Sequence, residues 1–453
     1  MIVGEGRAKL QFTLQKMGIS WGFCLVVASV NRVAIADLGL PAILIAFLIG
    51  VYTLFGPLQP VFGRITERYP IFGYRRMPYM LLGTLLGASA FPLFPYVLTA
   101  MAGGAGWAIP ACLFLFSMFG MCIAIQANVF LDLLKDVTTE ESRSRVTTLT
   151  WTVQALFMAF WAWVFALIMP VFSVEAMQFL YNLSPLVMVG LTFLGVVGLE
   201  TRLTKQELED IQRNPPPPVS LIGPIKESWQ ILGQSRQARS FFVFIIVSLL
   251  AVFLQDILQE IWAKDLFGME AGQSTIFQRL YNGLQTVGMA VMGIYVGVTA
   301  KKIKAKDPDA LTLSMVRGKK LLWLTGCLAA IAFLLLAWAA YVQDLSLFYA
   351  FYVISAISLG LYVFPSISFM ADMTVKGKES QYLGLWSLAQ VIGLFLSFTV
   401  SGALYSGLVE TGFLTANKAF MVIFILQAMM VMLCIWIIRP VTIEGLKEEG
   451  KTP

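Results

Sequence analysis

Apolar and polar positions follow a coarse rhythm along the chain, with long hydrophobic runs broken by short polar stretches. Runs of about 20 apolar residues, enough to cross a bilayer as a helix, fall near 17–36, 41–62, 78–100, 107–134, 147–169 and 179–199. After a polar interval they resume near 240–261, 275–298, 320–342, 346–370, 382–405 and 419–438. The pattern predicts an all-α integral membrane protein of twelve spans. It divides the chain into an N-terminal six-helix half (1–199), a linker (200–239), a C-terminal six-helix half (240–439) and a tail (440–453). The seventh run differs from the others. It is apolar from Phe241 to Leu254, then turns polar at Gln255, Asp256, Gln259 and Glu260 before Trp262 and Phe267-Gly268-Met269. A continuous helix here puts both carboxylates on one face. An acid near the bilayer centre costs roughly 2.5–3.5 kcal/mol on insertion scales, so it faces a bundle interior or a wet cavity.

The basic residues orient the spans. Of 32 Lys and Arg, 28 fall in the termini and the even-numbered loops, and only Arg32, Lys264, Arg279 and Lys418 lie elsewhere. That asymmetry predicts cytoplasmic termini and linker. It also accounts for the net charge of +6, so no nucleic-acid partner is implied. Arg7, Lys9 and Lys16 read as a cytoplasmic lead-in to a full-length span rather than a cleavable signal. With 58% hydrophobic and 13% charged residues spread over 453 positions, a soluble domain is excluded. The five cysteines lie inside apolar runs and read as buried hydrophobes. Histidine is absent, which removes the usual zinc, haem and general-base arrangements. No nucleotide loop, nucleophile with its base, or metal cluster stands out, so neither an enzyme nor catalytic or metal-binding residues are expected. In the linker, Pro215 to Pro218 favour a polyproline II spacer, and Leu221 to Leu232 has the pattern of a short amphipathic helix.

The halves are related by sequence. Asp136-Val-Thr138 leaves the fourth span, followed by Glu140, Arg143, Arg145 and Trp151-Thr-Val-Gln154. Asp372-Met-Thr374 leaves the tenth, followed by Lys376, Lys378 and Trp386-Ser-Leu-Ala-Gln390. Six-helix repeats in parallel orientation, related by a pseudo-twofold axis, are the plan of the major facilitator fold. After the second span, Gly63-Arg-Ile-Thr-Glu67-Arg68 matches the start of that superfamily's Gly-x-x-x-Asp-Arg signature, with Glu for Asp. Gly73-Tyr-Arg75-Arg76 completes it. These residues are expected to form a cytoplasmic latch: the glycine permits close helix approach, and the acid pairs with basic groups or a helix N-terminus. The alternative makes Arg75 and Arg76 topology anchors only.

Over nearly its whole length the chain resembles the PucC/LhaA branch of the major facilitator superfamily, also called the bacteriochlorophyll-delivery family. The resemblance rests on Asn31-Arg32-Val33, Leu38-Gly-Leu-Pro41, Phe72-Gly-Tyr-Arg75-Arg76-Met-Pro78-Tyr79, Gln255-Asp256-Ile-Leu-Gln-Glu260, Phe267-Gly-Met269 and Gly384-Leu-Trp386…Gln390. Trp262-Ala-Lys264 and Asp37 depart from the family pattern. The resemblance implies a factor in a cytoplasmic or thylakoid membrane that assembles light-harvesting or photosystem complexes. Its partners would be membrane lipids, antenna or photosystem subunits and pigment-synthesis enzymes. It would hold no resident cofactor, with chlorophyll or bacteriochlorophyll as a transient cargo. Without histidine, the pigment's magnesium would take a hard oxygen donor. Gln126, Asn128, Gln255 and Gln390 are the amides in reach of that role, with Asn31 and Trp386 as further candidate contacts. Each amide has an ordinary alternative, an interhelical hydrogen bond. Two other function classes stay open: a proton-coupled transporter of a small solute using Asp256, Glu260 or Asp132, and a pigment-free chaperone of one-helix antenna subunits.

Arg32 lies about as far into the first span as Asp256 lies into the seventh. A cation and a carboxylate at one depth, each costly against lipid, are expected to meet. Arg32 is therefore expected to pair with Asp256 or Glu260 on the non-cytoplasmic side, either as a gate or as a static buried pair.

Overall fold

The computed structural model describes residues 5–214, 223–304, 311–373, 379–442 and 445–446. Among them, eleven helices are long and apolar enough to cross a membrane. In the first half these are α1 (Gly6–Asp37), α2 (Ala42–Arg68), α3 (Met77–Ala102), α4 (Ala108–Val137), α5 (Leu149–Ile168) and α6 (Val174–Val196). The linker carries two short helices, α7 (Lys205–Arg213) and α8 (Gly223–Gln234). The second half follows with α9 (Arg236–Phe253), α10 (Gln259–Phe267), α11 (Ala271–Lys304), α12 (Leu311–Val342), α13 (Leu345–Asp372), α14 (Glu379–Tyr405) and α15 (Ala416–Ile438). The expected eighth span is the long helix α11, which falls short of the others in apolar character. Gln278, Arg279, Asn282 and Gln285 interrupt its hydrophobic run. Pro215–Pro218, Lys376 and Lys378 lie outside the described residues, as do the side chains of Glu140, Arg143 and Arg145.

Three boundaries differ from the sequence expectation. The first helix begins at Glu5 rather than near residue 17, so Lys16 is inside it. Its early turns are held by packing: Ala8 and Phe12 are buried, and the Gln11 amide donates to the carbonyls of Leu194 and Val197 at 3.2 and 2.8 Å. The second helix runs on to Arg68, which places Gly63, Glu67 and Arg68 on its last turns and not in a loop. The seventh expected span is not continuous. α9 ends at Phe253, residues 254–258 form turns, and α10 starts at Gln259. Asp256 therefore lies within the break and Glu260 in the first turn of α10, so the two carboxylates do not share a regular helical face.

The first helix is irregular too. Leu25–Val30 and Val33–Asp37 are wound as π-helix, with Asn31 and Arg32 between them. Wider π-turns inside α-helices occur mostly at functional sites.

The chain forms two compact units. One comprises Met1–Leu221 with Glu270–Ile276, the other Ile222–Met269 with Phe277–Pro453. In the first unit α1 packs on α5 and on the Ser184–Val196 part of α6, while α3 packs on α4 and α6. Its core gathers Ala8, Phe12, Met80, Val129, Phe130 and Leu133. In the second, α12 packs on α13 and α15, and α9 packs on α14 and α15. Small residues and aromatic rings fill these contacts, as expected where lipid supplies no hydrophobic drive between helices.

Candidate functional site

Two polar clusters stand out, one in each unit. In the first unit, Gly63 on α2 faces α4. A Cβ there would sit 2.1 Å from Asn128 Nδ2 and 3.0 Å from Asp132 Oδ2, so only glycine permits this approach. Asn128 donates to Asp132 across one turn of α4 at 3.0 Å. Into the same place comes Arg76, its side chain 5% exposed. Its guanidinium meets Glu67 at 3.0 Å, Asp136 at 3.4 Å and Asp132 at 3.6 Å. It also donates to the carbonyl of Gly63 and the hydroxyl of Thr66. One buried cation is thus shared by three carboxylates from two helices. Lys135 adds a second cation 3.8 Å from Asp132.

The chain reaches Arg76 through a tight turn. Ile71 and Tyr74 exchange both backbone hydrogen bonds at 2.9 Å, with Phe72 and Gly73 at φ of 54° and 82°. Two successive positive φ values define a type I′ turn, which glycine accepts readily at its second central position. Glu200 then caps α3. Its carboxylate accepts the backbone N–H of Arg75, Arg76 and Met77 at 2.5, 3.0 and 2.8 Å, an anion at a helix N-terminus where the dipole favours it. Sequence reasoning missed Glu200, which reads as the first residue of a linker. Its partners lie some 125 positions upstream, and no local signal announces them. Arg75 contributes its backbone, and Arg68 stacks on neighbouring Tyr69 with 5.6 Å to the ring centroid.

The second cluster surrounds the break after α9. Gln427 of α15 donates to the Ala251 carbonyl at 2.7 Å, and Gln278 of α11 donates to the Asp256 carbonyl at 2.8 Å. Side-chain amides thus take up carbonyls near the interrupted ladder, the condition for irregular backbone inside a membrane bundle. Below the break, Trp262 is fully buried against Phe348, Phe277 and Tyr352, with centroids 4.7, 5.1 and 5.4 Å away. Phe277 and Tyr352 stack at 4.1 Å, and the Tyr352 hydroxyl donates to Gln259 at 3.2 Å.

This aromatic nest holds unsatisfied polar groups. Arg279 is buried and acts electrostatically on Asp256, yet none of its three guanidinium nitrogens has a hydrogen-bond partner. The same holds for both amide atoms of Gln255, Trp262 Nε1, Gln278 Oε1 and the Tyr281 hydroxyl, which lies beside Gln255 and Ser355 without a well-aligned bond. Each such buried group costs about 1–3 kcal/mol relative to a satisfied one. Eight such atoms are concentrated in Gln255, Trp262, Gln278, Arg279 and Tyr281. Arg279 was visible in the sequence only as one of four basic residues outside the cytoplasmic set.

The remaining expected residues are placed as follows. Arg32 is buried, pairs with Asp37 at 3.4 Å and donates to Ser274. Asn31 and Glu260 are buried, the one in α1 and the other in α10. Gln126 is committed to structure: it donates to Met80 O and Thr84 and accepts from Gln15, joining α1, α3 and α4. Trp386 donates to Met373 O at 2.8 Å and packs edge-on against Phe241. Gln390 is half-buried. Lys16, counted in sequence as part of a cytoplasmic lead-in, is 5% exposed and lies over Phe130 and Trp151, 4.0 and 4.4 Å from their centroids. Cation–π contact of this kind gains strength on desolvation.

Comparison with known proteins places this architecture. The chain is 26% identical over 430 residues to a Rhodobacter capsulatus protein named "Bacteriochlorophyll synthase 44.5 kDa chain", covering 90% of this chain and 88% of the relative. It is 21% identical over 402 residues to "Protein PucC" of Rhodovulum sulfidophilum, covering 87% and 84%. Among solved structures, the nucleoside transporter NupG aligns with a TM-score of 0.67 at 11% identity, over 95% of this chain and 99% of that one. The xylose transporter XylE from E. coli aligns at 0.66 and 11%, over 98% and 99%. These likenesses show the major facilitator transporter fold of a multi-pass integral membrane protein. The family described as "PUCC protein" matches residues 29–446, and the chain belongs to it.

Proposed function

We propose that the protein assembles light-harvesting or photosystem complexes in a photosynthetic membrane, carrying chlorophyll or bacteriochlorophyll as a transient cargo, with both termini cytoplasmic. Family membership over residues 29–446 sets the class, together with relatives named for PucC and for bacteriochlorophyll. The observation that carries the cargo reading is the nest around Gln255. Aromatic side chains suit a large flat ring, and the Gln255 amide oxygen is a hard donor with no well-aligned hydrogen bond, although the Tyr281 hydroxyl lies beside that side chain. Among the four candidate amides, Gln126 bonds Met80 and Thr84, Asn128 bonds Asp132, and Gln255 is the one that lies beside the aromatic nest, which favours it. Weak ligation fits a carrier that must release its load. In this reading Arg32 pairs with Asp256 or Glu260 to gate the non-cytoplasmic side, and the Gly63–Arg76 cluster latches the cytoplasmic side. The protein performs no covalent chemistry of its own.

A second reading, a proton-coupled transporter of a small solute, is favoured by the charges of Asp256 and Arg279 near the break and by the transporter fold. One experiment separates them. The protein purified from a phototrophic host should carry pigment absorption bands that Gln255→Leu reduces several-fold. Antenna subunits without pigment would point to a pigment-free chaperone, and neither pigment nor subunits would point to transport.

A further inference from the structure

At the start of α9 and the end of α15, within the second unit, lies a pocket of about 710 Å³. Arg236, Arg239 and Arg439 line it beside Val243, Trp436 and Ile437. Among the described residues no acidic residue lines it, and no carboxylate pairs with any of the three arginines. All three are exposed, so their charge faces the pocket and its surroundings instead of being neutralised internally. The walls are tied in place. Lys319 Nζ donates to the carbonyls of Arg439 and Val441, and the Thr442 N–H donates to Gln237 Oε1 at 3.1 Å. These bonds hold the segment after α15 against α12, through Lys319, and against the first turn of α9, through Gln237. Trp436 is 70% exposed and Val243 46%, so an apolar strip runs from the arginines along the outer surface of two spanning helices.

Three guanidinium groups with no partner among the described residues match a phosphate ester. The apolar strip next to them matches acyl chains, and an exposed Trp at a helix end is the ordinary anchor at a membrane interface. We infer that this pocket binds the headgroup of an anionic phospholipid, with the acyl chains along Val243, Ile437 and Trp436. A free phosphate would use the arginines and leave the strip unused.

The test uses the full chain in mild detergent, titrated with short-chain phosphatidylglycerol, phosphatidylcholine or inorganic phosphate. Native mass spectrometry and the unfolding midpoint are the two readouts. Phosphatidylglycerol alone should be retained and should raise the midpoint. A single Arg439→Gln should weaken its binding about fivefold, and the Arg236→Gln/Arg239→Gln/Arg439→Gln variant about a hundredfold, at the contribution expected of each basic residue near an anionic lipid. Val243→Trp keeps every charge but fills the pocket, and should also weaken binding. Arg213→Gln, an exposed arginine elsewhere, should not. The inference is overturned if phosphate reproduces the midpoint shift, if phosphatidylcholine binds equally, or if Arg213→Gln weakens binding as much as Arg439→Gln. Should the triple variant fail to fold, the single variant and Val243→Trp decide the matter: binding unchanged in both also overturns it.

Discussion

The clusters around Arg76 and around Gln255 contain the same kinds of groups in opposite states of satisfaction. Arg76 meets three carboxylates, a carbonyl and a hydroxyl, and Glu200 takes three backbone N–H groups beside it. Around Gln255 a buried guanidinium, an amide, an indole and a phenol have no well-aligned hydrogen bond among the described residues. A network in which the central cation and its neighbours are all bonded rigidifies what it joins. A network of orphans costs stability in the protein by itself, and that cost is recovered when something else supplies the missing bonds. The first cluster joins its helices through satisfied bonds, and the second gathers polar groups that lack them.

The contrast breaks most visibly at Arg76. Arg76→Ala should lower stability by about 2–4 kcal/mol, since three carboxylates lose their shared cation, with some discount because Glu67 and Asp136 are half exposed. Thermal unfolding in detergent measures it, beside Lys135→Ala as the exposed-cation control. Equal losses for the two variants would mean that the network holds nothing.

The second cluster should answer with the opposite sign. Gln255→Leu removes two unsatisfied atoms, and is expected to leave stability unchanged or raise it by up to about 1 kcal/mol. A fall in the unfolding midpoint as large as that of Arg76→Ala would show that Gln255 is a structural group after all.

The smallest effect sharpens what satisfaction means outside the membrane. In α7, Thr204 and Glu207 form a reciprocal cap, and the Thr204 N–H and hydroxyl hold the Glu207 carboxyl below its ordinary value. A carboxyl depressed in the folded state adds stability above its unfolded pKa and loses it as pH falls through its folded pKa. Amide exchange across 205–213 should therefore quicken in acid relative to the Glu207→Gln variant, and the two should differ most near neutrality. Identical pH dependence in both would remove the cap from the account.

Much of this was legible in the sequence, and the gaps have physical causes. Helix positions followed from apolar runs because the bilayer sets both their length and their composition. Gly63, Glu67 and Arg76 could be found because their spacing forms a motif, and the structure brings Gly63, Glu67 and Arg76 together with Asn128 and Asp132. The break at 254–258 was not legible. Hydropathy carries no record of Gln427 or Gln278 reaching across from other helices to take its carbonyls. Lys16 was misplaced for a related reason: a lysine before an apolar run looks like a boundary, whereas Phe130 and Trp151, distant in sequence, make it an interior residue.

The π-turns of α1 have a consequence for insertion and deletion. A π-turn holds about one residue more than an α-turn, so Leu25–Val30 and Val33–Asp37 behave as surplus positions absorbed into a helix. Deleting one residue from Leu25–Val30 would let that turn relax to regular α geometry without breaking the span. Because the wider turn is what absorbs the surplus residue, everything beyond it would keep nearly its present rotation about the helix axis. Asn31 and Arg32 would stay on their present face, whereas deleting a residue from a regular α-turn would swing everything beyond it by about 100°, so the π-turns are where this span tolerates a change of chain length.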